Sequence, residues 1–144
     1  MDDDTRRLVD ATMIGEAVES LPLAIVVWDA SLNHLAVNAA AAELVGVSRA
    51  ELLRRRVSDV VALPHRELQQ AAFDVESYGL RAGEAAIRRE DGSVVEVTYA
   101  TMSTRIGNLP VLVSFVRPKA AEGLDPLVDV LMAGVREGAA DPRG

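Results

Sequence analysis

Apolar residues change their spacing several times along this chain, and each change marks an element. Leu8, Ala11, Ile14, Val18 and Leu21 recur every three or four residues, which places one apolar stripe on a helix over residues 5–19. Asp4 or Thr5 supplies its N-cap and Pro22 ends it. The spacing then collapses into a continuous run, Leu23 to Trp28, apolar on both faces as a central strand requires. Asp29 to Asn33 is rich in turn formers, and His34 to Asn38 reads as a second strand.

Short helices occupy the middle. Asn38 caps one over 39–45 that Gly46 stops, and Ser48 with Glu51 forms a capping-box pattern ahead of Leu52 and Leu53. Ser58 to Val61 fits a single helical turn. Pro64 opens a longer helix, His65 to Tyr78, closed by Gly79, with Leu68, Ala72 and Val75 along one side and Phe73 offset from them. A period of two then takes over. A strand over 84–89 and an alternating run with Val95, Val97, Tyr99 and Thr101 on one face flank the Asp91-Gly92 hairpin signal. Residues 105–109 turn the chain into a last strand, 111–116. Asp125-Pro126 starts a terminal helix ending near Gly138, whose Leu127, Val128, Val130, Leu131, Met132 and Val135 leave it apolar nearly all round, as expected of a helix buried on more than one side.

Composition narrows what this framework does. Apolar residues make up 49% of 144 and aromatics only 3%, so the core is aliphatic. A net charge of −7 opposes phosphate binding and argues against nucleic acid. The absence of cysteine excludes disulfides and thiolate sites and fits a reducing, cytoplasmic setting. No apolar run approaches the roughly 20 residues of a membrane span, and the acidic start is unlike a signal peptide. No nucleophile motif, phosphate-cradling glycine loop or spaced carboxylate pair points to an enzyme.

Two stretches carry a resemblance. "ESLPLAIVVWDASLNHLAVNAAAAELVGVSRAELL" and "GEAAIRREDGSVVEVTYATMS…PVLVSFVRP" resemble the PAS domain family in their opening strands, the Asn that ends strand two, the capping step and the Asp-Gly hairpin. The resemblance implies an α+β PAS fold: a five-stranded antiparallel sheet with short helices on one face. It also implies a pocket between sheet and helices and an outer sheet face that docks helices or a partner. The chain then divides into a flanking helix (1–20), the PAS domain (21–118), and a linker with a C-terminal helix (119–144). Inward positions on this fold are Ile25, Val27, Leu35, Val37, Leu44, Val60, Phe73, Val95, Val97, Tyr99, Leu112 and Ser114, which suit a small apolar ligand held by one or two polar contacts. A filled core without a cavity is the equal alternative.

Haem-binding relatives place an axial histidine in the long helix. His65 stands at that helix's start, the matching position is Gln69, a poor iron ligand, and His34 is a weaker candidate still. Flavin photochemistry of the family's light sensors needs a cysteine that is absent here; non-covalent flavin beside Trp28 or Tyr99 stays open. No cofactor and no metal are therefore expected. Arg49, Arg54, Arg55, Arg56 and Arg66 read as a solvated face balanced by Glu51, Asp59 and Glu67, with an acidic partner as the alternative. The reading that results is a non-enzymatic module, homodimeric through its terminal helices and outer sheet face, which signals to a separate output protein. The alternative is a sensor binding an apolar ligand, haem or flavin.

Overall fold

The computed structural model describes the backbone of residues 2–63 and 65–140, and their side chains except at 11, 14, 65, 76–78 and 135–140. Five strands form one antiparallel sheet: β1 (Ala24–Trp28), β2 (His34–Val37), β3 (Leu80–Arg88), β4 (Val94–Ile106) and β5 (Leu109–Pro118), in the order β2-β1-β5-β4-β3. The first strand therefore lies inside the sheet, between the edge strand β2 and the last strand, which is central. This is why it is apolar on both faces. Among the described residues six α-helices accompany the sheet: α1 (Asp3–Ser20), α2 (Ala39–Val45), α3 (Arg49–Arg54), α4 (Val57–Val60), α5 (His65–Tyr78) and α6 (Pro126–Ala140).

Local chemistry sets the boundaries. Asp2, rather than Asp4 or Thr5, caps α1 by accepting from the Thr5 amide. Asn38 and Ser48 cap α2 and α3 as their side chains suggest. Gly46 and Gly79 end α2 and α5 at positive φ, a conformation a Cβ penalises. Pro64, expected to open α5, lies outside the described residues. β3 begins four residues before the expected Glu84, because Leu80 to Gly83 pair with β4 in unbroken register although their sequence has no alternation. At the far end the expected five-residue turn shrinks to Gly107-Asn108, since Arg105 and Ile106 still pair with Pro110 and Leu109.

Helices α2 to α5 cover one sheet face in two contiguous apolar clusters. Ala24, Val37, Ala41, Val45, Leu52, Val60, Ile87 and Val97 form one; Trp28, Leu32, Val57, Leu68, Ala72, Val75 and Leu112 form the other. The opposite face is covered in part by the chain's own α6, whose Val128 and Met132 pack with Leu23 and Phe115. Arg117 of β5 pairs with Asp129 on α6 beside this contact. The expectation that α6 is buried on more than one side is not met within a single chain. Leu127, Val130 and Leu131 stay exposed, and Val135 lies among the side chains not described.

Candidate functional site

The two inner clusters do not close on each other. Between them lies a cavity of about 500 Å³, bounded by β1, β3, β4 and β5 on one side and α2 to α5 on the other. Most of its wall is aliphatic: Ala24 and Val26 from β1, Leu44 and Val45 from α2, Val57 and Val60 from α4, Leu68 and Val75 from α5, Ile87, Val97 and Val116 from the sheet. With one tryptophan, two tyrosines and two phenylalanines in the chain, bulky rings are scarce, and branched aliphatic side chains leave the space between sheet and helices unfilled.

Three polar features interrupt these walls. The Trp28 indole donates to Ser114 Oγ at 2.9 Å, and Ser114 Oγ lies 2.7 Å from Thr101 Oγ1; both bonds are buried. His34 borders the cavity from β2, with Nδ1 2.6 Å from the Arg55 carbonyl oxygen. That oxygen can only accept, so Nδ1 carries the hydrogen and the neutral ring keeps its lone pair on Nε2. Burial holds the His34 pKa below its ordinary value, against the opposing pull of that carbonyl. The third feature is the opening between α5 and β3, where Glu67, Gln70 and Asp74 face Arg81 and Glu84. Arg81 donates through Nε to Tyr99 Oη at 3.1 Å and lies 3.5 Å from Asp74, while Glu84 pairs with Lys119 at 3.0 Å. Gly83 leaves room for the Tyr99 ring to lie across β3: a Cβ there would stand 3.4 Å from Tyr99 Oη.

Five of the twelve inward candidates, Leu44, Val60, Val97, Tyr99 and Ser114, line this cavity. The other seven stand elsewhere. Ile25 and Val27 point to the opposite sheet face, because Ala24, Val26 and Trp28 take the cavity side and strand neighbours alternate. Leu35 is exposed on the edge strand, and Phe73 is 60% exposed on the outer side of α5. Val37, Val95 and Leu112 belong to the packed clusters beside the cavity without forming its wall. Sequence reading names Ile25 and Val27 as the inward residues of β1, whereas Ala24, Val26 and Trp28 take that side; a strand apolar on both faces has no alternation to read. Thr101 was within reach, two residues beyond Tyr99 on the same alternating face. Of the haem positions, Gln69 is exposed and off the cavity wall, and the His65 side chain lies outside the described residues.

The arginine cluster disperses into separate contacts. Arg49 pairs with Glu19 of α1, Arg55 with Glu51 and Glu90, and Arg56 donates to the Ser31 carbonyl. Among the described residues no group of three or more His, Asp or Glu is placed to hold a metal ion, and no helix is long and apolar enough to cross a membrane.

Comparison with known proteins agrees with this architecture. A family model described as PAS fold matches residues 12–109. The PAS domain of an HTR-like protein from Haloarcula marismortui superposes with a TM-score of 0.73 at 21% identity, covering 80% of this chain and 97% of that one. A PAS domain from a two-component sensor histidine kinase gives 0.68 at 17%, covering 78% and 99%. A third, the PAS domain of a LuxR-family transcriptional regulator from Burkholderia thailandensis in complex with ethanol, gives 0.60 at 16%, covering 74% and 97%. A search of curated proteins finds no match.

Proposed function

The chain belongs to the PAS family, a family of sensory and signalling modules, and from that premise we propose that it is a ligand-responsive, non-enzymatic relay. In this reading a small apolar molecule occupies the cavity between sheet and helices. The occupied state passes through the terminal helices to a separate cytoplasmic output protein. The observation that carries the reading is the aliphatic cavity itself, because a module that only docked partners would gain stability by filling it. The LuxR-family neighbour, solved with ethanol, offers a precedent for a small uncharged guest on this fold.

A physical route from cavity to α1 supports the relay. Ala24 and Val26 line the cavity, and between them the Ile25 amide donates to Asn38 Oδ1 at 3.0 Å. Asn38 Nδ2 donates in turn to the carbonyls of Leu23 and of Val18, the latter on the last turn of α1. A guest that presses on β1 or α2 therefore acts on the residue that holds α1 in place. Exposed Leu8 and Met13 on α1, with Leu127 and Val130 on α6, supply the apolar surface for a homodimer.

A mass comparison tests the reading. The protein is purified without denaturation and its native mass compared with its denatured mass. A ligand-responsive module either carries a small added mass or takes one up from a panel of uncharged aliphatic compounds. Val97→Phe, which fills the cavity, abolishes that uptake while the fold persists. A protein that takes up nothing from the panel is an interaction module only.

A further inference from the structure

A count of hydrogens inside the cavity indicates what kind of guest it accepts. The chain of Trp28, Ser114 and Thr101 holds three polar hydrogens, one on the indole and one on each hydroxyl. Two of them are used: the indole hydrogen goes to Ser114, and one hydroxyl hydrogen lies between Ser114 and Thr101. Whichever hydroxyl donates in that second bond, one hydroxyl hydrogen remains, on a residue that lines the cavity and is at most 9% exposed. A second donor stands on the same face of β4. Tyr99 Oη receives the Arg81 hydrogen, and among the described residues nothing takes the phenolic hydrogen in return. The Ser114–Thr101 part of the wall therefore offers a buried donor hydrogen that an acceptor on the guest would satisfy, and a buried donor without a partner costs about 1–3 kcal/mol. The wall's own acceptors stand on other elements, His34 on β2 and the carboxylates at the opening.

Charge at the opening narrows the class further. Glu67, Asp74 and Glu84 face Arg81 alone among the cavity-lining cations, and Arg81 is already engaged by Asp74 and Tyr99. An incoming carboxylate or phosphate meets net negative charge and finds no uncommitted guanidinium. We infer that the guest is an uncharged aliphatic molecule whose polar group is a hydrogen-bond acceptor of the ketone, ester or tertiary-amide kind, seated against Tyr99, Thr101 and Ser114. This rests on the reading of the cavity as a guest site and adds the guest's chemistry.

The experiment uses the full chain at neutral pH with three probes of equal length: hexanone labelled at its carbonyl, hexane and hexanoate. Trp28 is the chain's one tryptophan and lies on the cavity wall, so its emission reports occupancy. Hexanone is expected to change that emission saturably. The infrared stretch of its bound carbonyl should lie below the position found in dry hexane, the signature of an accepted hydrogen bond. Tyr99→Phe should weaken hexanone about three- to ten-fold and leave hexane within about two-fold, as the loss of one neutral hydrogen bond implies. Hexanoate should bind less tightly than hexanone.

Should Tyr99→Phe not fold, the triple change Trp28→Phe, Thr101→Val and Ser114→Ala, which removes all three hydrogens of the buried chain, makes the same comparison with occupancy read by native mass. A carbonyl stretch unchanged from hexane overturns the inference while the cavity reading stands. So does an equal effect of the variants on hexanone and hexane, or tighter binding of hexanoate. Failure of every probe, hexane included, removes the guest site and this inference together.

Discussion

Asn38 concentrates more structural work than any other polar residue described. It is 2% exposed, caps α2 through Ala41, accepts from Ile25 and donates to Val18 and Leu23, so one amide joins α1, β1 and α2. Asn38→Ala removes a cap worth about 1 kcal/mol and strands several buried partners; urea unfolding should show a loss of about 3 kcal/mol. An effect below about 1 kcal/mol would mean that these bonds are not formed in solution. The cap was legible in the sequence because capping is local. The bonds to Val18 and Leu23 were not, since they depend on where α1 and β1 arrive.

The same holds for Trp28, whose partner Ser114 is 86 positions away. His34 allows a pH prediction. Its folded-state pKa is lowered by burial, so below about pH 6.5 the unfolded chain binds more protons than the folded one. Stability is then full above that pH, falls as pH drops through it, and levels off once the folded ring protonates. Melting temperatures between pH 8 and 5 should follow this course, and His34→Gln should flatten it; identical profiles for both proteins would contradict the assignment.

At the scale of elements, the strands and helices were largely written in spacing and turn chemistry, and the places where that reading ran short share one cause. β3 and β4 are longer than their own patterns suggest because pairing with a neighbour, rather than alternation, extends them. On β1 the residues named as inward, Ile25 and Val27, lie on the opposite face, whereas on β4 Val97 and Tyr99, on its alternating side, line the cavity. Helix α6 shows the same limit. Its composition identified an apolar helix, but only the fold shows that Val128 and Met132 form the side turned to the sheet.

Met132 is 1% exposed, and Met132→Ala should cost roughly 2–4 kcal/mol; a change near zero would mean that α6 does not lie on the sheet. The side of α6 turned away makes a separate prediction. Leu127 and Val130 are 57% and 69% exposed, so if the proposed homodimer uses this face, replacing both with Glu should leave the melting temperature nearly unchanged while sedimentation shifts from dimer to monomer. Sedimentation unaffected by both charges would rule this face out as the dimer contact.

On the scale of the whole molecule, an antiparallel sheet is covered on one face by four short helices that do not fill the space beneath them. On the other face lies a helix from the chain's own C-terminal segment. The fold class was legible because the order of elements admits few arrangements. Whether the core was filled or hollow was not, because that depends on how side chains from distant elements fit together rather than on any periodicity. The account depends on this hollow being open to a guest in solution.

Xenon tests it most directly, since it enters dry apolar cavities without needing a polar contact. Methyl resonances are followed as xenon pressure is raised. The account predicts saturable shifts at cavity-lining methyls such as Val26, Leu44, Val60 and Val97, with Val128 and Met132 on the opposite face unmoved. Shifts that grow linearly and spread evenly over both faces would contradict it.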